Sequence, residues 1–128
     1  MAVSFNHTIV YATDKQKSAE FLARIFGLPK PQPMWSFVTV ALENGVTLDF
    51  LEANGKVAPQ HYAFLVTEEE FDQIFLRVTA EHIDYWADPG RTRAQTINHN
   101  DGGRGIYFCD PDGHFLEAIT RPYGSGGA

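Results

Sequence analysis

The segment Tyr107-Phe108-Cys109-Asp110-Pro111-Asp112-Gly113-His114-Phe115-Leu116-Glu117 decides the fold. Its centre holds aspartate, proline and glycine, which are the residues that favour tight turns. Apolar residues flank the turn on both sides, so the segment predicts a β-hairpin with strands over 104–109 and 114–120. Alternation along the second strand places Glu117 on the same face as Phe115 and Ile119, and a carboxylate among apolar neighbours needs a partner.

The same pattern occurs twice in the chain. Asn44-Gly45 and Leu48-Asp49 match Asp112-Gly113 and Leu116-Glu117 at an offset of 68 residues, and His7 matches His61 at an offset of 54. Each half therefore begins with a histidine on an apolar strand and ends with a turn, then leucine and a carboxylate on another strand. The offsets differ by 14 residues, which predicts an extra loop in the second half, and residues 89–103 fit it.

Helix and strand signals agree with this repeat. The first helix is expected to open at Thr13 with Gln16 as its capping-box partner and to stop at Gly27, and Thr67 with Glu70 repeats the capping box. The prolines at 29, 31 and 33 predict a loop, and further strands are predicted over 3–11, 35–42, 46–51 and 85–87. The result is an α+β fold of two βαβββ modules, at about 3–54 and 58–122, in one domain over 1–124. Residues 124–128 are expected to form a flexible tail.

Composition narrows the classes of function. Hydrophobic residues make up 44% of the 128 residues, which suffices for the core of one compact domain. The formal net charge of −6 argues against a nucleic-acid surface and an anionic-membrane surface. No apolar stretch reaches the length of a membrane helix and no secretory signal is evident, so a cytoplasmic location is expected. The single Cys109 excludes an intramolecular disulfide and a cysteine-based zinc cluster.

His7, Asp49, His61 and Glu117 occupy matched positions of the repeat and are expected to converge on one divalent metal ion. Two neutral imidazoles and two carboxylates suit Fe, Mn, Co, Ni or Zn. Each residue also has an ordinary interpretation: the histidines could be satisfied half-buried side chains, Asp49 could lie on the surface of an edge strand, and Glu117 could pair with Arg121. The match of two histidines and two carboxylates across the repeat favours the metal hypothesis over independent coincidence.

The segment 107–117 resembles the C-terminal signature of the vicinal oxygen chelate superfamily, which includes glyoxalase I, fosfomycin-resistance enzymes, bleomycin-resistance proteins and extradiol dioxygenases. Three other stretches also resemble it: Asn6-His7-Thr8-Ile9-Val10, Ile25-Phe26-Gly27-Leu28 and Gln60-His61-Tyr62-Ala63-Phe64-Leu65-Val66. The resemblance implies that the two modules form an open, curved, mixed β-barrel-like sheet around a metal, with the helices outside, and that the protein is a homodimer. Family ligands match His7, His61 and Glu117. The fourth ligand of the glyoxalase-like branch falls on Asp49, where that branch usually has glutamate.

Further side chains are candidates for the reaction. The resemblance implies chelation of a substrate through adjacent oxygens, with Glu117 or Asp49 as general base. Tyr107 matches a tyrosine that contributes to the site in the fosfomycin branch and could donate a hydrogen bond to a substrate oxyanion; its ordinary interpretation is a core aromatic. Cys109 is expected to be a packing residue, and His114 is expected to face away from the metal.

Substrate-binding candidates are Arg91, His99 and Arg104 in or beside the inserted segment, and Trp35 as an aromatic pocket wall. A guanidinium group pairs with carboxylate or phosphate through two hydrogen bonds, so the arginines could bind an anionic substrate group. The ordinary interpretation of the inserted segment is a solvated loop.

Three functions stay open at this point. The first is a metal-dependent lyase, isomerase or group-transfer enzyme acting on a small oxygen-rich molecule. The second is an extradiol-type dioxygenase, which needs Fe or Mn and an additional acid–base histidine, for which His99 is the candidate. The third is a non-catalytic binder of an antibiotic or aromatic metabolite, similar to bleomycin-resistance proteins.

Overall fold

The computed structural model describes residues 2–126, in two compact units that divide between Ala58 and Pro59. The first unit, module one, contains β1 His7–Ala12, α1 Lys15–Phe26, β2 Gln32–Met34, β3 Phe37–Ala41 and β4 Thr47–Glu52. The second, module two, contains β5 His61–Leu65, α2 Glu68–Ala80, β6 Tyr85–Trp86, a 3-10 helix Asn100–Gly102, β7 Gly105–Cys109 and β8 Phe115–Ile119. The predicted βαβββ plan, occurring twice, is confirmed. No helix within residues 2–126 is long and apolar enough to cross a membrane.

Each module carries a four-stranded mixed sheet. The strand orders are β1-β4-β3-β2 and β5-β8-β7-β6, and in each sheet the first pair is parallel while the other two are antiparallel. The predicted α+β class with tandem modules is therefore confirmed. The described strands form these two sheets and no closed barrel.

The strand register repeats between the modules. Thr47 is the partner of His7 on the neighbouring parallel strand, and Asp49 lies two residues farther along β4. In module two, Phe115 is the partner of His61, and Glu117 lies two residues farther along β8. Because alternate residues of a strand share a face, each histidine lies on the same sheet face as its carboxylate.

The opposite sheet face and one side of each helix form the core of each module. In module one the buried apolar residues include Val10, Val38, Val40, Leu48, Phe50, Ala19, Leu22 and Ile25. In module two they include Phe71, Ile74, Val78, Ile106, Phe108, Leu116 and Ala118. Burial of this apolar surface fixes which face of each strand points away from the core, and that face carries the candidate ligands.

The predicted capping box is confirmed at the N-terminus of α2 and is wrong at the N-terminus of α1. The capping box of Thr67 and Glu70 is present at α2, where each side chain bonds the other residue's backbone N–H. The N-cap of α1 is Asp14, whose carboxylate accepts from the Lys17 N–H, so the predicted box of Thr13 and Gln16 is wrong. Aspartate is a stronger N-cap than threonine, which explains why the helix begins one residue later.

The proline-rich segment after α1 is the second correction. A loop was expected there, but Gln32–Met34 pairs with β3 as an edge strand. Proline is tolerated on an edge strand because its missing N–H can face away from the ladder. Trp35 lies in the turn that follows, with a φ of 55°, and does not belong to β3.

The inserted segment 89–103 is ordered by its own hydrogen bonds. The Asp88 carboxylate accepts from the Thr92 N–H, the Thr92 hydroxyl and the Arg93 N–H. Asn98 is buried, donates to the Ala87 carbonyl and pairs through its backbone with Gly105. Hydrogen bonds therefore hold the predicted loop against β6 and β7 of module two.

The predicted flexible tail lies partly outside the described residues, which exclude Gly127 and Ala128. Within the described part, the Gly124 and Gly126 N–H groups donate to the Asp101 carboxylate. The flexibility of the tail stays a prediction.

Candidate metal centre

His61 and Glu117 come together on one face of the module-two sheet. His61 Nε2 lies 3.0 Å from Glu117 Oε1, and His61 Nδ1 lies 3.0 Å from the Phe115 carbonyl oxygen. A carbonyl oxygen can only accept, so Nδ1 carries a proton and Nε2 is the ring nitrogen that faces the carboxylate. The Glu117 side chain is 1% exposed and that of His61 is 49% exposed, so the imidazole stands between a buried carboxylate and open space.

A ring nitrogen and a carboxylate oxygen at this distance have either a proton or a cation between them. Ligand atoms held at about 2.1 Å from one ion and at a right angle lie about 3.0 Å apart, as these two atoms do. A backbone carbonyl on the other ring nitrogen is also the usual way in which a ligating histidine is oriented. The His61–Glu117 pair therefore fits two adjacent ligands of a divalent ion. The alternative pairing of Glu117 with Arg121 is not observed, since the Arg121 side chain donates to the Ser125 carbonyl.

Two tyrosines lie behind the carboxylate. The Tyr123 hydroxyl donates to Glu117 Oε2, and the hydroxyl oxygens of Tyr107 and Tyr123 lie 2.8 Å apart. Burial raises the pKa of Tyr107, and the Glu117 carboxylate raises it further, against an opposing hydrogen bond with Tyr123. Burial and the hydrogen bond to Glu117 also hold the pKa of Tyr123 far above its ordinary value. Both phenols are therefore protonated donors beside the carboxylate.

Sequence reasoning named Tyr107 and missed Tyr123. Tyr107 is the cross-strand partner of Glu117, whereas Tyr123 follows the end of β8 in a turn over 122–125. The available signal was Pro122-Tyr123-Gly124, a turn sequence six residues past the candidate ligand.

An aromatic wall adjoins the pair. The Arg91 guanidinium lies 4.8 Å from the centre of the Phe115 ring and 5.2 Å from that of Trp86. Phe115 stacks on Tyr107 at 5.3 Å between ring centroids, and strand register places both rings on the face of His61. Arg91 therefore ends the aromatic wall with a positive charge on the same sheet face as the His61–Glu117 pair.

Cys109 and His114 match their predicted structural interpretations. Arg91 donates to the Cys109 sulfur at 3.5 Å, and burial raises the pKa of this thiol, so it is a packing residue and not an activated nucleophile. His114 is buried and its Nδ1 accepts from the Gln60 N–H. Its ring packs edge-on against Tyr62, which follows His61 in β5 and therefore lies on the opposite sheet face from His61 and Glu117.

Arg104 and His99 have other surroundings. The Arg104 guanidinium donates to Glu68 at 2.9 Å and contacts Asp72 at 2.8 Å, and it lies 4.5 Å from the centre of the Phe71 ring. These contacts fasten the start of β7 to α2. His99 is exposed immediately before the 3-10 helix. Among residues 2–126, no hydrogen bond or ring contact joins either side chain to His61 or Glu117.

In module one, the candidate ligands His7 and Asp49 do not form a pair like that of His61 and Glu117. Asp49 is 5% exposed and its Oδ1 has no hydrogen-bond partner among residues 2–126. The interpretation of Asp49 as a surface residue on an edge strand is wrong, because β4 lies between β1 and β3. His7 is exposed, with its Nδ1 2.6 Å from the Asn6 side-chain oxygen. Trp35 is 92% exposed.

The chemistry of these donors still fits a cation. A buried carboxylate oxygen without a partner is rare in folded proteins, and a cation is one of the few groups that would satisfy it. The His7 contact with Asn6 engages Nδ1, so Nε2 is the ring nitrogen that could bind an ion. Among residues 2–126, however, no three histidine, cysteine or acidic side chains are gathered at ligating distance, so the assembled part is the His61–Glu117 pair.

Comparison with known proteins gives the family. The profile of the Glyoxalase/Bleomycin resistance protein/Dioxygenase superfamily matches residues 4–118. The solved structure named Oxidase ChaP-H2 is 57% identical with a TM-score of 0.95, and the match covers 99% of this chain and 100% of that one. Glutathione transferase FosA of Serratia marcescens is 32% identical over 125 residues, which covers 91% of this chain and 80% of the relative.

A further structure adds to the evidence for the fold. It is a point mutant of the fosfomycin resistance protein FosX from Listeria monocytogenes, in complex with Mn(II) and 1S,2S-dihydroxypropylphosphonic acid. It is 21% identical with a TM-score of 0.68, and the match covers 95% of each chain. The relatives named as an oxidase and a glutathione transferase are enzymes. The chain therefore belongs to the Glyoxalase/Bleomycin resistance protein/Dioxygenase superfamily and is one of its enzymes.

Proposed function

We propose that the chain is a divalent-metal-dependent oxidase, in which dioxygen oxidises a small oxygen-rich substrate. The observation that carries the metal is the geometry of the His61–Glu117 pair, in which Nε2 faces a buried Glu117 oxygen at 3.0 Å while Nδ1 is held by the Phe115 carbonyl. The oxidase assignment is supported by full-length likeness to a protein named an oxidase, which exceeds the likeness to the transferase relatives.

The proposed ligands are His61, Glu117 and, by the resemblance to the superfamily, His7. Two imidazoles and one carboxylate with open positions are typical of non-haem Fe(II) oxygenases. Asp49 stays a proposed fourth ligand, supported by its buried oxygen without a partner among residues 2–126. When bound, the ion would hold adjacent substrate oxygens and supply the redox chemistry.

The surrounding side chains are proposed to bind the substrate. We propose Arg91, and not Arg104, as the main side chain that binds an anionic group of the substrate. The positive charge of Arg104 is already paired with Glu68 and Asp72. The rings of Trp86 and Phe115 would shield the substrate from water, which strengthens the attraction between Arg91 and a substrate anion. Tyr107 is proposed to turn its protonated hydroxyl from Tyr123 to a substrate oxygen and to donate its hydrogen bond there.

Several further predictions accompany this proposal. Glu117 as general base, His99 as an additional acid–base group, Trp35 as a substrate contact, the homodimer and the cytoplasmic location all stay predictions. The enzyme relatives weigh against the non-catalytic binder.

The first test measures metal and oxygen together. Protein purified without added metal is subjected to elemental analysis, and oxygen uptake is then followed with a panel of catechols and other vicinal dioxygen compounds. We expect one first-row divalent ion per chain, and oxygen uptake with at least one of these compounds. His61→Ala should abolish both, whereas His82→Ala, in the turn after α2, should change neither. Equal metal content in wild type and His61→Ala would overturn the proposed centre.

The second candidate function is a thiol transferase, favoured by the identity to FosA over 91% of this chain. It predicts a covalent adduct of glutathione with fosfomycin and no consumption of oxygen. Mass spectrometry of metal-loaded protein with both compounds distinguishes the candidates. Adduct formation that depends on His61 would replace the oxidase proposal with this one.

A further inference from the structure

The turn after β8 brings the Tyr123 hydroxyl to the Glu117 oxygen that does not face His61. β8 ends at Ile119, and the turn over 122–125 lets the Tyr123 hydroxyl donate to Oε2, while Oε1 faces His61. The Tyr123 proton is used in that bond, so Tyr107 is the donor in the contact between the two hydroxyls. The two oxygens of Glu117 are thus divided between the histidine and the tyrosine.

Asp101 holds this turn in place. One oxygen of its carboxylate accepts from the Gly124 N–H at 3.1 Å and from the Gly126 N–H at 3.2 Å. A Cβ on Gly126 would collide with the Asp101 backbone, so only glycine permits this approach. Ser125 bonds back to the Pro122 carbonyl through its N–H and its hydroxyl. The inserted segment is therefore linked to Glu117 through the turn and Tyr123.

We propose that Tyr123 is a positioning residue that keeps Glu117 a one-oxygen ligand and so leaves two neighbouring coordination positions open for the adjacent oxygens of a chelating substrate. This inference rests on the proposed metal function. It assigns to Tyr123 and Asp101 a role that concerns the geometry of the ligand and not the identity of the metal.

The Tyr123 hydroxyl and a bound ion would compete for Oε2 of Glu117. Carboxylates bind divalent ions through one or both oxygens, and a second bound oxygen occupies a position that a substrate could use. A phenol hydrogen bond satisfies Oε2 inside a buried site, where an oxygen without a partner would otherwise turn to the ion. Removal of such a partner typically changes metal affinity or activity by about 10–100-fold.

The experiment uses Co²⁺ as the metal and acetohydroxamate as a probe that chelates through two adjacent oxygens. The visible absorption of Co²⁺ weakens as its coordination number rises, so it reports a second bound oxygen directly. We expect Tyr123→Phe to bind Co²⁺ with a weaker absorption band than wild type. Acetohydroxamate should bind its Co²⁺ form at least about 10-fold more weakly. The matched control is Tyr85→Phe, which removes a hydroxyl from β6, where the ring packs on Phe75.

A second pair of variants acts through the turn alone. Asp101→Ala removes the acceptor for both glycine N–H groups and should shift the band and the acetohydroxamate affinity in the same direction by a smaller factor. Asp101→Asn should restore both, because its amide oxygen can accept and asparagine tolerates the positive φ of 58° at this position.

The outcomes separate this inference from the proposed function. Failure of wild-type protein to bind one Co²⁺ per chain would overturn both. Stoichiometric Co²⁺ with Tyr123→Phe indistinguishable from Tyr85→Phe would overturn the positioning role alone. A shift in Tyr123→Phe with no shift in Asp101→Ala would overturn the role of the turn. Thermal unfolding of each variant checks that the comparison is made on folded protein.

Discussion

The two modules share a strand register and differ in what surrounds their carboxylates. In each, the carboxylate lies two residues beyond the cross-strand partner of the histidine. Glu117 contacts His61 and accepts from Tyr123. Asp49 is also buried, but its Oδ1 has no partner among residues 2–126, and His7 bonds to Asn6 instead.

This difference shows that a structural repeat transmits the direction of a side chain and not its contacts. Tyr107 lies opposite Glu117, whereas Thr39 lies opposite Asp49. Aspartate is also one methylene shorter than glutamate, which reduces its reach from the strand. Module two therefore presents a preformed pair of ligands, and module one presents separate donors.

Metal affinity gives the largest test of this comparison. Glu117→Gln keeps the size of the side chain and removes the charge that faces His61, so we expect Co²⁺ to bind more than about 100-fold more weakly, beyond the usual effect of a residue that only orients a ligand. Asp49→Asn should weaken binding by about 10-fold or less. Isothermal titration of metal-free protein measures both. Equal losses would show that the modules contribute equally and would break the comparison.

The sequence was sufficient for the repeat because the signals for it are local. Hairpin turns, strand alternation and the Thr67 capping box depend on residues within a few positions of one another. The register that places His61 near Glu117 also follows from alternation once the strands pair. Those parts of the fold and half of the candidate site were therefore predictable.

The remainder depends on contacts between distant parts of the chain. Tyr123 reaches Glu117 from a turn that Asp101, more than twenty residues earlier, holds through hydrogen bonds. Arg91 and Arg104 are alike in sequence context, yet one lies on the aromatic wall and the other on α2. No local pattern distinguishes them, because the acidic partners of Arg104 belong to a different element.

The charged contacts that join each helix to its sheet also differ between the modules. Arg104 bonds two carboxylates of α2 and stacks on Phe71, whereas Lys15 at the start of α1 lies 3.7 Å from Glu52. We expect Arg104→Gln to lower the free energy of unfolding by about 1–2 kcal/mol, from a cation–π contact and two part-exposed ion pairs. Lys15→Gln should cost less than about 0.5 kcal/mol. Urea unfolding measures both, and unchanged Co²⁺ affinity in Arg104→Gln would agree with a structural role. A loss of Co²⁺ affinity in this variant would show that Arg104 contributes to the metal site.

Helix caps extend the contrast at a smaller scale. Thr67→Ala removes one of two reciprocal bonds at α2, and Asp14→Ala removes the single side-chain cap of α1. Each should cost about 1 kcal/mol in urea unfolding. If Asp14→Ala has no effect while Thr67→Ala does, the N-cap assigned to α1 is wrong.

The smallest expected effect is a pH dependence confined to module two. Hydrogen bonds from Thr120 and Arg104 hold the pKa of Glu68 below its ordinary value of 4.5. A carboxylate with a lowered pKa in the folded state stabilises the protein above the pKa of the unfolded state, and this contribution is lost as the pH falls below about 4.5. Unfolding midpoints of wild type and Glu68→Gln should therefore converge as the pH is lowered through that range and differ by a constant amount above it. Glu69→Gln, at the next position of α2, is the matched control, and parallel curves for wild type and Glu68→Gln at all pH values would show that Glu68 and Arg104 are not coupled in solution.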